Sequence, residues 1–144
     1  MHRPEPSPNP APSATVTVRV RYAETDQMGV AYYANHLVWF EVARGALCRE
    51  LGMPYGDLER DRGLLMPVVE ARVRYLAPVR YDDEIAVRVV VAERRRRTIR
   101  FSYRISRNGD AVAEGETLHM AVGHDGRPRA FPPDIASRLD GNGA

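Results

Sequence analysis

The chain has 144 residues, 44% hydrophobic and 28% charged, with a formal net charge of +2. That length supports one domain with a real core, and so small a charge gives no argument for a nucleic-acid partner. All 21 basic residues are arginine, which excludes a Schiff-base lysine or a lysine general base, and the single cysteine, Cys48, excludes an intrachain disulfide and a cysteine metal cluster. A cytoplasmic setting is expected. No apolar run is long enough to span a bilayer, and the N-terminus has no hydrophobic signal region.

Prolines stand at positions 4, 6, 8, 10 and 12. Proline cannot donate to a ladder and favours extended, solvated backbone. Residues 1–14 are therefore predicted to be a flexible tail, with the domain over 15–144. From Thr15 a period of two begins: Val16, Val18, Val20 and Tyr22 face one way, Thr15, Thr17, Arg19 and Arg21 the other. That is a half-buried strand. A loop over 23–34 follows. A helix is predicted from Asn35 to Leu51, with Asn35 as N-cap, Gly52 just past the end and Pro54 blocking continuation. Phe40, Ala43, Leu47 and Leu51 make its buried stripe, and Trp39 and Ala46 widen it, as if a sheet wrapped the helix. Gly45 lets a backbone approach, and Cys48 reads as a small core residue. A short helix covers 55–62.

Four further strands alternate around Val69–Tyr75, Ile85–Val91, Ile99–Ile105 and Ala111–Gly123. Asn108-Gly109 is a hairpin signal between the last two. One helical turn is expected near Asp134–Leu139. Strand, long helix, then four strands in an antiparallel meander is an α+β architecture.

Asp26 lies just before a helix N-terminus, where free N–H groups and the positive dipole end collect. A carboxylate facing such donors suits acyl transfer: it attacks or activates water, and the N–H groups hold the oxyanion. The plain alternative is a loop aspartate capping a turn. Glu24, two residues away, is expected to be structural or solvated. Gly29 permits a positive φ. The rings of Tyr22, Tyr32 and Tyr33 are either core or pocket wall. His36 is an acid or a packing residue, His119 a satisfied sheet residue, and the four histidines do not have metal spacing. Arg94, Arg95, Arg96 and Arg97 either form a solvated edge that discourages sheet aggregation or offer forks to phosphate.

Tyr22-x-Glu24-Thr25-Asp26-x-Met28-Gly29-Val30-x-Tyr32-Tyr33-x-Asn35, running into Trp39-Phe40-Glu41-x-Ala43-Arg44, resembles the hotdog-fold acyl-CoA thioesterases of the 4-hydroxybenzoyl-CoA thioesterase group, which includes Tol-Pal-associated members. A second block, from Pro67 to Asp83, extends the resemblance, which covers roughly residues 15–124. It implies a sheet of about five strands around one long helix, and hydrolysis of an acyl-CoA to a carboxylate and coenzyme A. It also implies that Asp26 is the catalytic carboxylate, as nucleophile or general base, and that the Tyr33 N–H polarises the thioester carbonyl, with Gly29 shaping the turn. Tol-Pal-associated members often carry histidine where this chain has Tyr33. Tyr22, Tyr32, Asn35, Glu70 and Arg94–Arg97 are the substrate-binding candidates; Glu70 is equally a cross-strand partner for Arg72 or Arg100. No cofactor beyond the substrate's coenzyme A and no metal is expected. A homodimer, with pairing into a homotetramer, is implied by the family. The rival readings are a hotdog hydratase, whose Asp-His motif is missing here, a non-catalytic acyl-thioester or acyl-carrier-protein binding module, and an interaction protein docking through the Pro-rich tail.

Overall fold

The computed structural model describes residues 10–142. The elements run β1 (Ser13–Arg19), a 3-10 turn (Tyr22–Glu24), α1 (Asn35–Glu50), α2 (Tyr55–Arg62), β2 (Val68–Tyr75), β3 (Glu84–Arg94), β4 (Thr98–Arg107), β5 (Asp110–Met120) and α3 (Pro133–Leu139). They form one antiparallel five-stranded sheet in the order β1-β3-β4-β5-β2, with α1 across one face. This is the hotdog architecture.

β3, β4 and β5 make the expected meander, and Asn108 and Gly109 turn the last hairpin with φ of 52° and 86°, as a type I′ turn needs. β2 departs from it. β1 already occupies the outer edge of β3, with Val16 opposite Val87. β2 can pair only at the other open edge, beside β5, with Val73 opposite Gly115. β1 also starts earlier than expected, at Ser13, and the Pro12 carbonyl accepts from the Val91 N–H at 3.0 Å. The rest of the predicted tail, residues 1–9, lies outside the described residues.

The core is what the strand phases specify. Ile85, Val87, Val89, Ile99, Phe101, Tyr103 and Ile105 face α1 and are buried, against Trp39, Phe40, Ala43 and Leu47. Phe40 stacks on Tyr103 with ring centroids 4.2 Å apart. Gly115 is required beneath that stack: a Cβ there would strike the Arg72 carbonyl and lie 2.8 Å from Phe40 Cε2. The sheet does not wrap α1 completely. Leu37, Val38 and Val42 are exposed on the helix, and β2 is exposed along nearly its whole length.

Two local expectations fail. Tyr22 is exposed, because the chain leaves the sheet after Val20 and turns into the 3-10 segment. Asn35 is not the N-cap: it is the first residue of α1, Ala34 precedes it without a side-chain cap, and the Asn35 Nδ2 donates to the Glu24 carbonyl at 2.8 Å. No helix among the described residues is long and apolar enough to cross a membrane.

Candidate active site

Residues 20–36 build the site. Val20 is sealed in the core, and the chain then makes a tight hairpin closed by the Thr25–Ala31 bridge. At its tip the Asp26 N–H donates to the Val30 carbonyl at 2.9 Å, and the Gly29 N–H to the Asp26 carbonyl at 3.0 Å. Gly29 has φ of 82° and open space around it. Its role is conformational.

The Asp26 carboxylate is half-buried. Oδ1 accepts from the Met28 N–H at 2.8 Å, an Asx turn. Oδ2 has no partner among the described residues.

Glu24 ties this hairpin to α1. Its buried carboxylate accepts from the Arg21 N–H at 2.7 Å and from Trp39 Nε1–H at 2.9 Å. Burial pushes that carboxyl up, but the hydrogen bonds from Arg21 and Trp39, with the Arg21 charge, outweigh it and leave it below the usual range. The structural role expected for Glu24 is this one. It sits at the end of the 3-10 turn over Tyr22–Glu24.

The helix is entered at Tyr32, whose N–H donates to the Glu24 carbonyl at 2.8 Å and whose carbonyl accepts from the Asn35 N–H at 2.9 Å. The next two N–H groups, of Tyr33 and Ala34, have no acceptor among the described residues. The Tyr33 carbonyl accepts from the Tyr75 hydroxyl at 2.8 Å and from His36 Nδ1 at 3.1 Å. Beside this turn lies a cavity of about 340 Å³, with Val30, Tyr33 and His36 on one wall and Tyr75, Leu76 and Val79 on the other. Asp26 does not line it within one chain. Burial pushes the His36 imidazole below its ordinary value, partly countered by its bond to the Tyr33 carbonyl.

The remaining candidates scatter. Tyr32 packs its ring on Tyr33 at 4.6 Å, and Tyr22 sets an edge against Tyr81 at 5.7 Å. Glu70 sits exposed on β2 opposite Leu118. It is not the partner of Arg72 or Arg100, because Glu116 takes both, at 3.2 and 3.1 Å. Arg94 is held by Asp140 through two bonds of 2.7 Å and lies 6.0 Å above the Phe131 ring. Arg95 pairs with Glu93, while Arg96 and Arg97 accept at their carbonyls from Phe131 and Ala121. Arg94 is the last residue of the 11-residue strand β3 and the other three follow it, roughly 30 Å from the start of the strand, where the Asp26 hairpin docks. Within one chain they do not meet Asp26. Sequence reasoning did not single out Ala34, whose N–H is free at this turn, or Tyr75, which lines the cavity. Ala34 contributes only backbone, which has no side-chain signature, and Tyr75 looks like an ordinary strand aromatic.

A second polar cluster lies inside the core. Arg44 Nη1 donates to the Tyr103 hydroxyl at 3.0 Å, and the Tyr103 and Thr117 hydroxyls are 2.6 Å apart. Thr117 meets His119 Nε2 at 2.8 Å, and His119 Nδ1 donates to the Met66 carbonyl at 2.9 Å. One direction of donation satisfies the whole chain, with His119 neutral. Burial, helped by the Arg44 charge, pushes His119 down to about 4 against the pull of the Met66 carbonyl. This is the satisfied sheet histidine expected from the sequence. No group of three or more His, Cys, Asp or Glu among the described residues is placed to hold a metal.

The sequence profile of the thioesterase-like superfamily matches residues 20–139, which include the hairpin, α1 and the whole sheet beyond β1. The chain belongs to the thioesterase-like superfamily. The enzyme class expected from the sequence, a thioester hydrolase, is thereby borne out. YneP of Bacillus subtilis (strain 168) is 51% identical over 67 residues, 46% of this chain and 48% of YneP. The 1,4-dihydroxy-2-naphthoyl-CoA hydrolase of Thermosynechococcus vestitus is 34% identical over 116 residues, 78% of each chain. Among solved structures, the hypothetical protein TT1821 from Thermus thermophilus superposes with a TM-score of 0.84 at 38% identity, over 88% of this chain and 96% of that one. A 4-hydroxybenzoyl CoA thioesterase mutant complexed with 4-hydroxybenzoyl CoA matches with a TM-score of 0.81 over 90% and 99% of the two chains. At 22% identity it speaks for the fold.

Proposed function

We propose that the protein hydrolyses an acyl-CoA to a carboxylate and coenzyme A. One observation carries the reading: the unpaired Tyr33 N–H, in the turn that leads into α1, stands beside a largely apolar cavity, a few residues after a hairpin that presents a carboxylate. Such an N–H is aimed where the thioester oxygen gains charge, and the helix dipole adds to the polarisation. Asp26 Oδ2 attacks the carbonyl carbon or takes a proton from water; the Asx turn at Oδ1 orients it for either.

The active molecule is a homodimer. Of the two edge strands, β1 is partly buried and β2 is exposed on both faces. On and just after β2 lie the exposed Val68, Val69, Tyr75 and Leu76, and α1 adds the exposed Leu37, Val38 and Val42. An open edge beside so much exposed apolar surface is a pairing surface. The partner then covers the cavity. Contacts of Arg95, Arg96 and Arg97 with coenzyme A phosphates have to come from another copy, because their own Asp26 is a strand's length away.

The test is release of free thiol from short, long and aromatic acyl-CoAs. Turnover of any of them supports the reading and names the acyl class. Saturable binding of an acyl-CoA with no release on any substrate supports the binding-module alternative.

A further inference from the structure

The Tyr33 carbonyl holds two side chains. It accepts from the Tyr75 hydroxyl at 2.8 Å and from His36 Nδ1 at 3.1 Å, besides the His36 N–H at 3.4 Å. A carbonyl oxygen only accepts, so the Tyr75 hydroxyl donates and His36 carries its proton on Nδ1. These bonds fix the plane of the peptide between residues 33 and 34. They also polarise it, which strengthens its N–H as a donor, by about 10–30% per bond in condensed-phase estimates. That N–H belongs to Ala34, and it has no acceptor among the described residues.

His36 gives an independent sign of a ligand. Its side chain is 4% exposed, and its ring is packed between Trp39 at 4.9 Å and Tyr75 at 4.7 Å. Nε2 nevertheless has no partner among the described residues. No buried side-chain nitrogen or oxygen among them is both sealed from solvent and unpartnered, so Nε2 reaches the cavity that His36 lines. In this tautomer Nε2 is an acceptor, open to the cavity that Tyr33 also lines.

We propose that His36 and Tyr75 are positioning residues for thioester hydrolysis: they hold the Tyr33–Ala34 peptide so that the Ala34 N–H is a second oxyanion donor beside the Tyr33 N–H. The inference rests on the thioesterase reading above. Tyr33 and the N-cap Ala34 lead directly into α1, and successive free N–H groups at a helix N-terminus can point the same way and share one anionic oxygen. The alternative is that Tyr75 and His36 only pin β2 to α1. A pin lowers stability when removed but leaves the chemical step alone.

Three variants separate these. Tyr75→Phe removes the hydroxyl and keeps the ring. His36→Gln places its amide near the Nε2 position and loses the donor to Tyr33. His36→Asn keeps a donor near the Nδ1 position. Hydrolysis of one acyl-CoA turned over by the wild type is followed at a temperature where each variant is fully folded by circular dichroism. Tyr75→Phe and His36→Gln should each lower kcat about tenfold with KM within about twofold, and together should approach the ~100-fold loss typical of removing an oxyanion donor. His36→Asn should return kcat to within about threefold of wild type, as expected when one donor hydrogen bond is kept. Unchanged kcat in Tyr75→Phe and His36→Gln, or equal losses in the Asn and Gln variants, overturns the assignment. A wild type that hydrolyses no thioester refutes the thioesterase reading and this inference with it; failure of the inference alone appears only with an active wild type.

Discussion

Asp26 commits one carboxylate oxygen to its own turn and leaves the other free. That division accommodates both readings of the residue: one oxygen caps the turn, and the other is open for the proposed catalysis. Gly29 sustains the geometry through its φ of 82° and not through space, because a Cβ would meet nothing within 4 Å. Gly29→Ala should therefore lower stability by about 1 kcal/mol, the strain of an L-residue in the left-handed region. It should also lower kcat, since the turn aims Asp26. A urea midpoint and a rate unchanged from wild type would contradict this. Cys48 sits at the opposite extreme. It is fully buried, and burial pushes its thiol up to about 11. In the folded protein it should not react with a disulfide reagent over minutes, and one thiol should appear in denaturant. A thiol-release assay thus has no background from the enzyme.

Among the elements, α1 meets the β5–β2 side of the sheet closely through Phe40. At Gly115 on β5, Phe40 and the Arg72 carbonyl both close in. Backbone cannot yield as a side chain tip does, so Gly115→Ala should destabilise by roughly 1–3 kcal/mol, the usual range for overpacking. Thermal or urea unfolding reads it, and a neutral result would show that the Phe40–Tyr103 stack can slide. Element boundaries were largely legible. α2 and the phases of β3, β4 and β5 follow from periodicity because these residues meet one core on one face. Tyr22 broke phase because Glu24, held by Trp39, draws the chain into a turn. Asn35 looked like a cap because caps and other local hydrogen-bonding roles favour the same side chains; its partner is the Glu24 carbonyl, brought close only by folding. β2 paired elsewhere than a meander predicts because pairing is decided by which sheet edge remains open.

At the scale of the molecule, the open β2 edge and the buried relay set two expectations. If pairing occurs along β2, Val69→Arg should shift the protein from dimer to monomer in light scattering and lower activity together. A dimer that survives the substitution would place the interface elsewhere. The relay sets the acid limit. His119 in the folded state titrates at about 4, against the ordinary value of 6.5. The unfolded chain binds that proton first, so stability is full above about 6.5 and falls as the pH drops toward 4, by roughly 3 kcal/mol in all. His36, also pushed down by burial, adds in the same direction. Urea midpoints at pH 7 and pH 5 should differ in wild type and differ clearly less in His119→Asn, which keeps the donor to Met66 and leaves only the smaller His36 share. An equal pH difference in both proteins would assign the loss to other groups. The site itself was legible only in part. Asp26 and Gly29 stand out because their residue types suit the chemistry or the turn, and the Tyr33 N–H stands out only through the resemblance of the surrounding motif. The Ala34 N–H and its anchors do not, because they act through a backbone whose direction is set by tertiary contacts. Arg94 misled for a related reason: its carboxylate partner, Asp140, is 46 residues away.

The measurement that bears most directly on the account is turnover by Asp26→Asn, on an acyl-CoA that the wild type hydrolyses, alongside binding of a non-hydrolysable thioether analogue. The substitution keeps an oxygen for the Asx turn and removes the nucleophile or base. The account predicts a loss of kcat of about 10³-fold or more, with analogue binding and melting temperature close to wild type. A variant that releases coenzyme A at the wild-type rate would contradict it.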